Sequence, residues 1–172
     1  ITVNQVGGND ELLFDGHSML ISNTGHTIKT CKGFTEDYNV IDTNNLNQEI
    51  VKQTKPNPYE TMFNGLVMGC RDYCQKTGFK TAVLGLSGGI DSAVTACIVA
   101  KALGPENVTG IAMPSQYSSQ HSIDDAKACA ELIGIQFNQI SIQPILNTYC
   151  ENINNELGTP LTGLSLENIQ PR

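Results

Sequence analysis

The segment Ser87-Gly88-Gly89-Ile90-Asp91-Ser92 holds the residue types best suited to chemistry. Two consecutive glycines permit positive φ and leave room for a ligand to approach the main chain. Successive backbone N–H groups in such a turn can face one point and cradle an anion, and a following helix adds the positive end of its dipole. The hydroxyls of Ser87 and Ser92 can donate to phosphate oxygens. A carboxylate beside phosphates needs a cation between them, so Asp91 implies Mg²⁺. No Lys closes the segment, which separates it from the Gly-Lys-Ser/Thr phosphate loop, and it lacks the Gly-x-Gly-x-x-Gly of dinucleotide sites. The bland alternative is a glycine-rich turn that only joins a strand to a helix. Two serines and an aspartate around the glycines argue against it.

A strand must deliver this loop and a helix must receive it. Lys80–Leu86 is a short, mostly apolar run, as expected of a strand buried on both faces. Ala93–Leu103 reads as an Ala-rich helix stopped by Gly104-Pro105. A second strand follows at Asn107–Met113, then a polar loop, Met113–Gln120. Ser122 is the expected cap of the next helix, with Asp124 and Asp125 in its first turn and Gly134 at its end. Ile135–Ile142 is a third strand and Pro144–Leu157 a further helix. Strand–helix–strand–helix–strand predicts parallel strands with right-handed crossovers. Ligands of such open sheets bind beyond the carboxyl ends of the strands, at a switch point, which is where Ser87–Ser92 falls.

Upstream, Asn57 caps a helix with Pro58 in its first turn and Glu60 at the capping-box position. Tyr59, Met62, Phe63, Leu66, Val67, Cys70, Tyr73 and Cys74 recur at helical spacing until Gly78. Residues 43–56 are polar and without period, so the domain junction is placed there: 1–54 and 55–172. The first part reads as β-rich. Glu11–Phe14 and Ser18–Ser22 flank Asp15-Gly16 as a hairpin, and Thr27–Cys31 and Tyr38–Asp42 are two further strands. The chain opens as if in mid-strand and stops at Ile169–Arg172 as if at a helix start, so both ends read as cut.

A net charge of −7 makes the chain a poor bulk nucleic-acid binder, since phosphate backbones need clustered Lys and Arg. No apolar run is long enough for a membrane span, and no secretory signal is visible at the start. The six scattered cysteines read as reduced, buried thiols of a cytoplasmic protein. Cys70 and Cys74 share a helix face, but no second Cys/His pair joins them to build a metal site. His17 and His26 flank turns and His121 borders the polar loop; all three read as solvated.

Ser87-Gly-Gly-Ile-Asp-Ser92 resembles the pyrophosphate loop of the ATP pyrophosphatases, which release pyrophosphate from ATP as they form an adenylate. Met113-Pro-Ser-Gln-Tyr-Ser-Ser119 followed by Ser122-Ile-Asp-Asp-Ala126 resembles the Met-Pro-Ser-Arg-Tyr-Ser-Ser segment and helix of NAD⁺ synthetases. Glu167-Asn-Ile-Gln-Pro-Arg172 is similar to that family's Glu-Asn-Ile-Gln-Ala-Arg. Residues 1–16 resemble the end of the nitrilase-like glutaminase domain fused to glutamine-dependent members. The resemblance runs in order along nearly the whole chain. Gln116 stands where the family commonly has Arg, and Pro171 where it has Ala.

The resemblance implies an α/β fold: a Rossmann-like parallel sheet with flanking helices, the ATP pyrophosphatase fold in part. A small antiparallel β segment from a nitrilase-like domain precedes it. It also implies a ligase of NAD biosynthesis that adenylates deamido-NAD⁺ with ATP and amidates it with ammonia from glutamine. Ser87, Gly88, Gly89, Ile90, Asp91 and Ser92 would hold ATP or pyrophosphate, with Asp91 on Mg²⁺. Met113, Ser115 and Ser119 would border the same pocket, and Arg172 would meet an anionic group of ATP or deamido-NAD⁺. The Glu, Lys and Cys of the glutaminase would lie before residue 1, which leaves no glutaminase catalytic residue in this chain. Pairing through the synthetase domain is expected. The alternatives are an inactive ATP- or pyrophosphate-binding piece, and another amidotransferase of the superfamily, such as GMP synthetase.

Overall fold

The computed structural model describes residues 1–44 and 56–158, and these fall into two compact units divided between Lys80 and Thr81. The polar junction at 45–55, the Glu167–Arg172 segment and Arg172 itself lie outside the described residues.

In the first unit, β1 (Val6–Asn9) pairs antiparallel with β2 (Leu12–Asp15), and β3 (Met19–Ile21) with β4 (Thr27–Thr30). The expected hairpin across Asp15-Gly16 is therefore wrong. The tight turn sits at Asp10-Glu11, where Asp10 adopts φ 51°, and Gly16 and His17 carry the chain from one pair to the other with positive φ. Tyr38–Asp42 forms no strand, a second correction. Asp37 Oδ2 accepts the Lys32 N–H at 3.0 Å and a bond from Asn39 Nδ2, which turns the chain locally. The Lys32 N–H holds the Asp37 carboxyl below its usual range. His17 is half-buried, not solvated: its ring meets Phe34 edge-on at 5.9 Å and covers Gly33.

The helix α1 (Pro58–Thr77) begins and ends where its sequence predicts. Asn57 Oδ1 accepts the Tyr59 N–H, and Gly78 closes the helix at φ 82°. Its buried residues are Gly65, Val67 and Met68, whereas Tyr59, Met62 and Tyr73 of the expected apolar face are exposed. The helix packs on β1 and β2. Asp72 Oδ2 accepts the Gly8 N–H at 2.7 Å, Lys76 Nζ donates to Gly8 O, and Arg71 pairs with the other oxygen of Asp72.

In the second unit, β5 (Ala82–Gly85), β6 (Val108–Ala112) and β7 (Gln136–Gln139) form a parallel sheet in the order β5-β6-β7. The parallel βαβαβ expectation holds. The order is sequential, so no reversal lies among the described strands, and among them β5 stands at an edge where burial on both faces was expected. Val83 on it is 68% exposed. The helices α2 (Ile90–Leu103) and α3 (Gln120–Ile133) contact each other and build one core with the sheet. Ala96 and Ala100 on α2, and Ala126 and Ala130 on α3, are buried together with Leu86, Val108 and Ile135. Small side chains at four-residue spacing bring both helices close to the sheet. A 3₁₀ turn, Pro105–Asn107, links α2 to β6, and α4 (Gln143–Leu157) follows β7.

The cap of α3 is Ser119, not Ser122: Ser119 Oγ accepts the Ser122 N–H at 3.1 Å. Asp124 and Asp125 thus fall beyond the first turn, and Asp125 meets exposed His121 at 3.4 Å. All six cysteines are free and half-buried, less covered than expected. No helix among the described residues is long and apolar enough to cross a membrane.

Candidate nucleotide site

The carboxyl ends of β5 and β6 open into a hollow of about 490 Å³, a volume within the range of small-ligand pockets. Gly85, Leu86 and Ser87 form one side, and Ala112, Met113 and Pro114 the next. Ser118 comes from the turn after β6, Ser122 and Ile123 from the start of α3, and Ile142 from the residue that precedes α4.

The loop after β5 takes its shape from its own residues. Ser92 Oγ donates to Gly89 O at 2.9 Å and accepts the Ser87 N–H at 3.3 Å. The two serine hydroxyls lie 3.2 Å apart, and Ser87 Oγ accepts the Gly89 N–H at 3.2 Å. The Ser92 proton is thus engaged in folding the loop, while Ser87 faces the hollow. Gly88 has φ 78°, and a Cβ there would stand 2.3 Å from Ser122 O. Only glycine lets the loop lie against the first turn of α3.

Gly89 caps α2 without a side chain, so the first N–H groups of that helix need other acceptors. The N–H groups of Ile90, Asp91 and Ser92, and that of Gly88 just before the cap, find none among the described residues. A row of open N–H donors at a helix N-terminus is a ready anion site. Asp91 is exposed in the first turn of α2, and no group of three or more His, Cys, Asp or Glu side chains stands near enough to hold a metal among the described residues. One carboxylate fits a magnesium ion that keeps its waters and is shared with substrate phosphates, not an all-protein cage.

The loop after β6 is arranged differently. The N–H groups of Ser115, Gln116, Tyr117 and Ser118 all have acceptors: Ser118 Oγ, Gln143 Oε1, Ser115 Oγ and Ser115 O. This turn is closed to anions. The Met113 N–H and C=O have no partner among the described residues and remain available at the strand end.

Of the residues expected at the site, Ser87 and Met113 line the hollow. Gly88, Gly89, Ile90, Asp91 and Ser92 build the loop beside it. Ser115 and Ser119 do not line it: one shapes the turn and the other caps α3. Ser118, Ser122, Ile123 and Ile142 are wall residues that the sequence did not single out for the site. The position of Ser122 three residues after a capping serine was the available signal for its turn toward the loop.

The NAD synthase family model matches residues 62–172. The chain belongs to the NAD synthase family. Over its whole length it is 43% identical to a glutamine-dependent NAD⁺ synthetase of Synechocystis, of which it covers 32%. A solved glutamine-dependent NAD⁺ synthetase of Acinetobacter baumannii, in complex with ADP, superposes with a TM-score of 0.87 at 35% identity. That match covers 99% of this chain and 33% of the other. An NH₃-dependent NAD synthetase of Campylobacter jejuni, in complex with a nitrate ion, matches 66% of the chain at 29% identity and a TM-score of 0.57, over 47% of its own length. The chain thus spans about a third of the length of the glutamine-dependent relatives. The likeness to NAD⁺ synthetases expected from residues 87–126 is borne out, as is the α/β class.

Proposed function

We propose that this chain is part of a glutamine-dependent NAD⁺ synthetase and carries its pyrophosphate loop. The observation that carries the reading is the row of N–H groups at Gly88 and Ile90–Ser92 that have no partner among the described residues, beside a hollow at the ends of parallel strands. The ADP held by the Acinetobacter baumannii relative supports an adenine nucleotide there. The family match sets aside a GMP synthetase.

In the proposed reaction the nicotinate carboxylate of deamido-NAD⁺ attacks the α-phosphorus of ATP, and pyrophosphate leaves. Ammonia from glutamine then displaces AMP from the adenylate, giving NAD⁺. The loop amides bind the β- and γ-phosphoryl groups and stabilise the charge that builds on the leaving pyrophosphate. Ser87 adds a hydroxyl, and the free main chain of Met113 meets the adenine edge. Mg²⁺ bound through Asp91 would neutralise phosphate charge. Arg172 is assigned to an anionic group of either nucleotide. Residues 1–54 are assigned to the end of a nitrilase-like glutaminase domain and 55–172 to the start of the synthetase domain, in a cytoplasmic homo-oligomer.

The test is product analysis on the whole protein that carries this chain, given ATP, Mg²⁺, deamido-NAD⁺ and glutamine or ammonia. NAD⁺, AMP and pyrophosphate should form in equal amounts. Asp91→Asn should lower kcat/KM by about tenfold or more and raise the Mg²⁺ concentration required. Release of ADP in place of AMP, or an Asp91→Asn enzyme with unchanged Mg²⁺ dependence, would overturn the assignment.

A further inference from the structure

We propose that Gln143 is a positioning residue for the nucleotide site, fixing the turn after β6 that forms one wall of the hollow. The proposal rests on the reading of that hollow as a nucleotide pocket. Gln143 is the first residue of α4, and its carboxamide oxygen accepts the Gln116 N–H at 2.6 Å. Its amide nitrogen donates to Asn147 Oδ1 at 2.7 Å, one helical turn along, which fixes the orientation of the carboxamide. The residues just before it hold the same turn by its other end. The Ile142 N–H donates to Pro114 O at 3.1 Å, and Ser141 Oγ donates to that oxygen at 3.2 Å. Ser141 Oγ also accepts the Gln143 N–H at 3.2 Å, so the two grips form one unit.

The clamp spans the wall of the site. Pro114 and Ser118 line the hollow from the clamped turn, and Ile142 lines it from the clamp. Gln116 is exposed, so its N–H would turn to water without Gln143 at little cost to folding. What would be lost is the fixed placement of Pro114 and Ser118, and with it affinity for the nucleotide. Asn147 can turn its amide to donate, so a carboxylate at position 143 keeps the acceptor for Gln116.

The experiment compares the whole protein with its Gln143→Ala and Gln143→Glu variants. It measures Mg·ATP binding by calorimetry, steady-state KM for ATP and kcat, and thermal melting. Gln143→Ala should weaken Mg·ATP binding and raise KM by about three- to tenfold, with kcat within about twofold and melting little changed. Gln143→Glu should restore KM to near the parent value. Unchanged binding in Gln143→Ala, or equal losses in both variants, would overturn the proposal, as would a loss confined to kcat. An unmodified protein that binds Mg·ATP without forming NAD⁺ would defeat the synthetase reading while the binding comparison still decides the role of Gln143. A protein that does not bind Mg·ATP defeats both.

Discussion

Gly88→Ala is the sharpest perturbation of the loop, because two separate penalties meet at one methyl group. The backbone sits at φ 78°, which costs a residue with a Cβ about 1 to 2 kcal/mol. The new carbon would also stand 2.3 Å from Ser122 O and 3.0 Å from Ser122 C and Cα. These are main-chain atoms in the first turn of α3 and cannot rotate away, so relief needs a shift of the loop costing about 1 to 3 kcal/mol. Together the terms give about 2 to 5 kcal/mol, or at least about a thirtyfold loss of Mg·ATP affinity if the loop moves off its binding geometry. Two variants calibrate the result. Gly25→Ala has nearly the same backbone angle, φ 84°, with nothing within 4 Å, so it isolates backbone strain and should leave nucleotide binding unchanged. Gly89→Ala would meet only the Ser87 hydroxyl, at 3.2 Å, and should lose far less than Gly88→Ala. Calorimetric titration of all three with Mg·ATP, beside thermal melts, is the assay. A Gly88→Ala protein that binds within about threefold of the parent would refute the packing argument, since the clash leaves no room for so small a loss.

Two further outcomes follow from packing and from burial. Gly110→Ala would put a methyl group 2.4 Å from Leu86 Cδ1 in the closed core, and should lower stability by about 1 to 3 kcal/mol in chemical denaturation. Burial raises the thiol pKa of Cys70, helped by neighbouring Cys74, and burial likewise raises that of Cys129, helped by Cys97. Less thiolate is then present at pH 8, so both should alkylate more slowly with iodoacetamide than an unstructured cysteine peptide. Mass spectrometry should find the gap narrowing as pH rises above 9.0, the ordinary thiol value.

What could be read from the sequence tracks how local the determining physics is. The bounds of α1 were legible because Asn57, Pro58 and Gly78 act within a turn of themselves. The parallel sheet was legible because alternating strands and helices leave few other arrangements. The pairing of β1 with β2 was not, because it depends on Asp10 adopting a left-handed conformation without a glycine. Nor was the exposure of Val83, since an apolar run does not say whether a neighbour lies on both sides. At the site, Ser87–Ser92 announced itself by composition, whereas Ser118, Ser122, Ile142 and Gln143 reach the hollow or its wall from segments tens of residues away. Their types are ordinary, and only the fold brings them together.

The partnership of α1 with the first two strands bears on how this protein can be divided. A cut in the polar stretch ahead of Asn57 follows the break in composition but not the packing. It would instead remove the strand whose main chain engages Asp72 and Lys76, leaving a carboxylate and an ammonium without their amide and carbonyl. Expression trials seeking a minimal piece would do better to keep the helix with its strands or to cut after Lys80 and omit it altogether.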